Sequence, residues 1–346
     1  MKLSLLEWLA CPACGDGSLD LAITAAEDVP AYTGHWEPGE QVPGRGPGTI
    51  TEVRSGTLHC RACKAIYPVV DGIPRLLPSG SEEGPSSGHR WTEFAEAVPQ
   101  YEQNFLDLSD PLKSDDFMGK LVLDAGCGFG RHAFFAARYG AEVIAMDSSA
   151  DAVASAAHNL QNVMRAHVIQ GDIAHPPLKR SLFDIVYSYG VLHHVADPHA
   201  TFQSLHTLVK PSGRLSVWVY GPRQGLTRVV TGALRGATAQ MEPAQLHRFS
   251  QAIAAGLRVF SHTPNRVLGR VPVAGSIVTH LPVHDHARWP FDVVVADVFD
   301  RLRVPVTRYL TGEELDVWYA DADYADIKVS RRVQNAESFR ATGVRR

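Results

Sequence analysis

No run of 18 apolar residues occurs in the 346-residue sequence, which argues against a bilayer-crossing helix. A secretory h-region is missing too, since Lys2 is followed within a few residues by Glu7 and Trp8; the chain is therefore expected in the cytoplasm. Charge of one sign is not in excess. With 33 Lys and Arg against 37 Asp and Glu, the formal charge is −4, so nothing draws the chain as a whole to phosphates or anionic lipid, and nucleic acid is not the expected partner. Cysteine is scarce: there are five, and four of them stand in two C-x-x-C pairs, which fits metal binding better than a disulfide framework. No internal repeat is visible. What is abundant is ordinary: 45% apolar residues supply a core, and the length allows more than one domain.

The most informative stretch is Leu121-Val122-Leu123-Asp124-Ala125-Gly126-Cys127-Gly128-Phe129-Gly130-Arg131-His132. Its apolar start predicts a buried strand, its glycines a tight turn, and His132 to Arg138 a helix packed back on the sheet, as in nucleotide-binding folds. The spacing is G-x-G-x-G, not the G-x-G-x-x-G of dinucleotide sites, and Asp124 stands at the mouth of the strand. A carboxylate there repels a pyrophosphate and suits a ligand offering a cation or hydroxyls. S-adenosylmethionine offers an ammonium, a sulfonium and ribose hydroxyls, without phosphate. Downstream, a strand over Ala141 to Met146 ends at Asp147 and Ser148, where an acid can accept both ribose hydroxyls. Another over His167 to Gln170 ends in Gly171-Asp172-Ile173, a polar-then-apolar pair suited to the edge and face of an adenine. A fourth over Leu182 to Tyr187 runs into Ser188-Tyr189-Gly190-Val191-Leu192-His193-His194-Val195.

These motifs, in this order, resemble class I S-adenosylmethionine-dependent methyltransferases of the methyltransferase type 11 kind, over roughly residues 117 to 220 and again from about 310. The resemblance implies an α/β fold: a Rossmann-like seven-stranded sheet with helices on both faces. It implies cofactor contacts from Asp124, Ala125, Gly126, Gly128, Gly130, Asp147, Ser148, Asp172, Ile173 and Tyr189.

Residues 1–78 read as a separate module. Cys11-Pro12-Ala13-Cys14 and Cys60-Arg61-Ala62-Cys63 are two knuckles that together complete a four-sulfur zinc site, coordinatively closed and hence structural. The 45 residues between them, rich in proline and glycine, predict a hairpin with an extended turn. With Leu5 to Pro12 before the first knuckle and Ala65 to Leu77 after the second, the module resembles the Trm112-like zinc-ribbon family, in which a small domain accompanies or activates methyltransferases. Residues 1–90 hold seven Lys and Arg against eleven Asp and Glu, which disfavours a phosphate-gripping finger.

A linker by composition, residues 79–89, leads into a methyltransferase domain over 90–346. Trp91, Phe94, Tyr101, Phe105 and Leu106 predict an aromatic-rich helix ahead of the first strand. Asp197-Pro198 opens the helix after the fourth strand with a capping acid and a proline, and Arg214 to Tyr220 follow as a fifth strand. Residues 221–305 form an insert expected to be a helical lid, with helices near Leu226 to Leu234 and over Pro243 to Phe260. The latter carries an apolar stripe of Leu246, Phe249, Ile253, Leu257 and Phe260 that would suit an apolar acceptor. Thr311 with Glu314 forms a capping-box signature ahead of Leu315 to Tyr319; Asp326 to Val333 and the tail through Phe339 supply the last strands.

Methyl transfer from a sulfonium is an in-line displacement, so the protein must place a nucleophile behind the methyl carbon and exclude water. His193 and His194, just past the fourth strand, are the candidates for a general base, and Tyr187, Tyr189 and Tyr220 for pocket walls. His280, His284, Asp285 and His286 near Trp289 read as a hydrogen-bonded cluster in the lid in preference to a metal site. Cys127 is assigned no catalytic role. The expected activity is methyl transfer to a small molecule; RNA or protein of the translation machinery is the alternative acceptor, and a non-catalytic cofactor-binding scaffold the alternative class. Oligomeric state is not encoded in these motifs.

Overall fold

The N-terminal residues build an antiparallel ribbon. The computed structural model describes residues 1–32, 45–78, 99–222, 225–238, 240–268, 289–303, 308–332 and 338–346. Strands β1 (Leu19–Tyr32) and β2 (Arg45–Cys60) pair as a long hairpin, and β3 (Ile66–Val70) adds to β2. Between β3 and β4 (Ile73–Leu76) the turn is Asp71-Gly72, with φ of 52° and 77°; this Asp-Gly pair suits a two-residue turn in which both central residues need positive φ. The expected separate module does not stop there. β4 runs parallel to β7 (Ala166–Gly171), pairing Arg75 with Gln170 and Leu76 with Gly171.

The remaining strands are β5 (Leu121–Ala125), β6 (Glu142–Asp147), β8 (Phe183–Tyr189), β9 (Val209–Tyr220), β10 (Tyr324–Arg331) and β11 (Ser338–Arg345). One sheet of 11 strands results, in the order β1-β2-β3-β4-β7-β6-β5-β8-β9-β11-β10. From β7 to β9 all pairings are parallel, and β11 lies antiparallel between β9 and β10. The seven strands of the expected methyltransferase sheet are thus present, and four more extend its β7 edge. A parallel sheet needs both faces covered: Val122, Leu123, Val143 and Ile144 are fully buried.

Around the sheet stand α1 (Pro99–Ser109), α2 (Arg131–Arg138), α3 (Ala150–Asn159) and α4 (Pro198–His206). Asp197 caps α4 through its side chain to the Ala200 amide at 3.0 Å, with Pro198 in the first turn. Thr311 and Glu314 close a reciprocal box on the helix Gly312–Asp321. Of the expected leading helix, Tyr101 and Phe105 lie buried on α1, while Trp91 and Phe94 fall outside the described residues.

The ribbon is held to the sheet by more than β4. Leu9 bridges Leu178, the Ala10 amide donates to Pro177 O at 2.9 Å, and Lys179 N donates to Trp8 O at 2.9 Å. Lys2 Nζ caps the Ala166 carbonyl at 2.6 Å, and the Trp8 ring stands edge-on to His167, whose Nε2 lies 2.6 Å from Glu142. Leu5, Leu9, Leu58 and Leu76 share one apolar cluster with Ile144, Ile169 and Leu178.

Arg223–Pro305 forms a second unit. It contains α5 (Gly225–Thr238), α6 (Pro243–Leu257) and α7 (Thr263–Leu268), with a further helix over Phe291–Arg303 that packs on α6. The expected helix through Phe260 ends its regular winding at Leu257 and continues as a π-turn over Arg258–His262. Five residues per hydrogen-bonded turn rotate Phe260 off the stripe, and it is 76% exposed while Leu246 and Ala254 are buried. Of the stripe, Leu246 is thus buried, Phe249, Ile253 and Leu257 are half-buried, and Phe260 is exposed. His280, His284, Asp285 and His286 lie outside the described residues.

Because ribbon and sheet share a core, Leu76→Ala, a change at a fully buried site between β4 and β7, is expected to cost about 2–5 kcal/mol. Hydrogen exchange should then show protection falling together in β2 and β7. Loss confined to the ribbon strands would show that the two halves unfold independently.

Candidate cofactor site and four-cysteine centre

The turn after β5 is built for close approach. Gly126 has φ of 86°, and a Cβ there would collide with the Val191 side chain. Gly128, with φ of 54°, has no atom of the described residues within 4 Å of the position its Cβ would take, so they leave this side of the turn open. Gly130 instead faces Leu160 at 3.0 Å and serves the packing of α2 on α3.

Four amides of the turn are committed to the protein itself. Gly126 N and Cys127 N both donate to Met146 O, at 2.8 and 2.9 Å, Gly128 N donates to Asp147 Oδ2 at 3.0 Å, and Gly130 N to Cys127 O at 3.0 Å. A phosphate-binding turn needs such amides directed at the ligand. Asp147 ties the turn to the end of β6, its other oxygen accepting from Ser149 N at 2.9 Å. Burial raises this carboxyl above its ordinary range, opposed by the amides of Ser149, Gly128 and Ser148.

The three strand-end acids come together on adjacent strands. Asp124 on β5 is fully buried, and its Oδ2 has no hydrogen-bond partner among the described residues. Burial, aided by the Asp147 carboxylate, raises its pKa to about 7, against the Tyr187 hydroxyl, the Ala133 amide and Arg131. Asp172, past β7, is half-buried and accepts from Ala174 N at 2.8 Å, with His175 Nδ1 3.1 Å from its second oxygen. Ile173 beside it is buried. The carbonyl of Ser148 accepts from Gln170 Nε2 at 2.9 Å, and Arg75 of the ribbon reaches Gln170 Oε1 at 3.4 Å, so β4 supports the rim on which Asp147 and Asp172 stand. Ala125 O is taken by Ser188 Oγ at 2.9 Å.

The two histidines separate in character. His193 is fully buried, and its Nδ1 accepts from the Tyr220 amide at 3.2 Å. In the neutral ring that bond leaves the proton on Nε2. His194 is half-buried beside it, with ring centroids 4.1 Å apart.

Sequence reasoning missed a polar layer on the face beneath α1. Register places Asp124 beside Tyr187, Tyr187 beside Ser216, and Ser216 beside Thr342; one step along, Tyr189 neighbours Trp218 and Trp218 neighbours Arg340. Tyr187 and Tyr189 stack at 4.8 Å, and Tyr189 donates to Ser216 Oγ at 3.0 Å. Phe105 of α1 packs on Tyr187 and on the buried His132 of α2. Tyr187 Oη, His132 Nε2, Trp218 Nε1, Arg340 Nε and Thr342 Oγ1 are all buried without a hydrogen-bond partner among the described residues. Such a concentration marks a place where water or ligand completes the bonding. The legible signal was period-two alternation setting polar residues on a core-facing side. Asp107 pins α1 over this layer, pairing with Arg332 Nε and with Arg340 Nη1 at 3.0 Å.

In the ribbon, each knuckle repeats one geometry. Gly15 N donates to Cys11 O at 2.8 Å and Lys64 N to Cys60 O at 3.1 Å, with both following residues in the left-handed region. The four sulfurs lie within 4.8 Å of one another; Cys11 and Cys63 are 3.5 Å apart, and Cys14 and Cys60 3.6 Å. A tetrahedral zinc with Zn–S of about 2.3 Å sets its sulfurs about 3.8 Å apart, so the donor set fits. Tyr67 Oη, 3.2 Å from Cys11 Sγ, can donate to that thiolate.

Two family models match the chain: a methyltransferase domain over residues 123–217 and a Trm112p-like protein over residues 2–72, so both resemblances read from the motifs hold for their segments. The chain is similar to a ubiquinone biosynthesis O-methyltransferase of Vibrio cholerae, 35% identical over 130 residues, 36% of this chain and 53% of that protein. It is also similar to the mitochondrial ubiquinone biosynthesis O-methyltransferase of Schizosaccharomyces pombe, 36% identical over 143 residues, 40% of this chain and 52% of that one. The chain thus spans about half the length of these curated relatives. Among solved structures, a magnesium protoporphyrin IX methyltransferase of Synechocystis is 17% identical, with 71% of this chain and 82% of that chain covered and a TM-score of 0.41.

The purified protein should carry one zinc per chain by elemental analysis, and Cys60→Ser should abolish it, since a three-thiolate remnant loses the closed tetrahedral set. Full retention of metal in that variant would place the ion elsewhere.

Proposed function

We propose that this chain is an S-adenosylmethionine-dependent methyltransferase acting on a small-molecule acceptor, with a structural zinc in its ribbon. The observation that carries the reading is the pairing of a glycine turn whose Gly126, Cys127, Gly128 and Gly130 amides face protein acceptors with carboxylates on three neighbouring strand ends. Such a site disfavours phosphate and favours a cationic, hydroxyl-bearing adenosine compound. Asp147 would hold the ribose hydroxyls, Asp172 and Ile173 the edge and face of the adenine, and Asp124, Ala125 and Gly126 the amino-acid end, while the open side of Gly128 admits the ligand against the backbone. The bound cofactor supplies the electrophilic methyl group.

The chain's own contribution is to position and to exclude water. His193 fixes the loop after β8 through the Tyr220 amide, and His194 is the better placed of the two to take a proton from an acceptor hydroxyl. The names of the relatives point to oxygen as the receiving atom. A translation-machinery acceptor is less favoured, because the ribbon is acidic and the whole chain carries −4.

Calorimetry with S-adenosylhomocysteine tests the cofactor assignment. Asp147→Ala should weaken binding about tenfold or more, the loss of a charged hydrogen-bond acceptor being worth about 1.5–3 kcal/mol. Unchanged affinity would remove the ribose role. For the acceptor, tritiated methyl should pass into the organic extract of a cell lysate; label confined to acid-precipitated protein or phenol-extracted RNA would overturn the small-molecule reading.

A further inference from the structure

The Asp124 carboxyl is an unusual group to bury. Its Oδ2 is sealed from solvent with no hydrogen-bond partner among the described residues, and so is the hydroxyl of Tyr187, its register neighbour on β8. Among the described residues no cation forms an ion pair with it, the nearest charge effect of that sign coming from Arg131. The charged and titratable groups that bear on it are Tyr187 and Tyr189 on β8, Asp147 at the end of β6, Cys127 in the turn and Arg131 on α2. The second carboxylate opposes ionisation, the phenol supports it, and burial opposes it most. A carboxyl so placed is at ease neutral, yet it lies behind the very turn where a cationic ligand would enter.

Building on the cofactor assignment, we propose that the Asp124–Tyr187 pair makes ligand binding proton-coupled: a cationic ligand is admitted as the Asp124 O–H bond breaks and its proton leaves to solvent, the Tyr187 hydroxyl then donating to the carboxylate. No electron is transferred; the ligand's ammonium takes the place of the released proton beside the carboxylate. Tyr187 thereby acquires a role as the residue that sets how readily the acid ionises. It touches no reacting atom and acts through Asp124.

The sign follows from linkage. The empty site holds its proton below about pH 7, the value to which burial raises this carboxyl, and the liganded site does not. Ligand affinity therefore rises with pH up to that point and levels off above it. Below it, the dissociation constant for S-adenosylhomocysteine should increase about tenfold per pH unit. The useful window ends near pH 7.5, where the ligand's own amine, of the α-amino class with pKa about 7.7–8.0, begins to titrate.

The experiment is isothermal calorimetry of the full chain with S-adenosylhomocysteine at pH 6.0 and 7.5, in buffers of different ionisation enthalpy. The slope of observed enthalpy against buffer enthalpy counts protons. At pH 6.0 about one proton should leave per ligand bound, and at pH 7.5 only a small fraction of one. Asp124→Asn should bring the count to about zero and flatten the affinity profile. In Tyr187→Phe, which keeps the acid but removes its donor, release should persist with the bend in the profile moved to higher pH. Tight binding with no buffer dependence in the wild-type protein overturns the coupling while leaving the cofactor assignment intact. Release that survives unchanged in Asp124→Asn assigns the proton to another group and overturns the proposal equally. Absence of binding at every pH defeats the underlying cofactor reading instead.

Discussion

Two hydrogen bonds from a single carboxylate organise the candidate site. Asp147, at the end of β6, accepts from Gly128 in the turn after β5 and from Ser149 at the start of α3. The turn, the strand end and the helix cap are thereby fixed relative to one another, and the loop amides that a phosphate would require are engaged within the protein. The arrangement leaves an acidic rim and a glycine flank, with the Gly126, Cys127, Gly128 and Gly130 amides turned to protein acceptors. The cost is a buried carboxyl at Asp124 beside a half-buried one at Asp147, both with their charge disfavoured, a burden that a cationic ligand relieves.

The same rim depends on residues far away in sequence. Gln170, one residue before the end of β7, links the Ser148 carbonyl to Arg75 of the ribbon. β4 completes the hydrogen bonding of the β7 edge, which would otherwise be exposed. The four-cysteine centre folds the ribbon, and the ribbon closes the edge of the sheet that carries Asp172. A structural metal remote from the chemistry thus contributes to the shape of the ligand-facing rim, without any open coordination position.

Much of this was legible in the sequence, and the reasons differ from element to element. The strand ends were readable because an apolar run followed by Gly or Asp carries both the element and its boundary, as at Asp124, Asp147 and Asp172. Cys11, Cys14, Cys60 and Cys63 were readable because ligand chemistry fixes the spacing of each pair. The joining of β4 to β7 was not, since strand pairing across some 95 positions leaves no local mark. Phe260 was misplaced because a π-turn shifts the helical phase by about one residue without altering composition. Tyr187 and Tyr189 stood out as pocket walls, but their union with Trp218, Arg340 and Thr342 in one polar layer escaped notice because its members come from three strands that only the sheet brings side by side. His193 was picked out by its position alone, and its bond to the Tyr220 amide is visible only once the strands are side by side.

The central claim is that this rim selects an adenosine compound bearing positive charge in place of phosphate. Parallel titrations of the purified chain with S-adenosylmethionine, ATP and NAD at neutral pH test it most directly. The account predicts saturable binding of the sulfonium compound, with ATP and NAD weaker by at least about a hundredfold. Comparable or tighter binding of either phosphate-bearing nucleotide would contradict it.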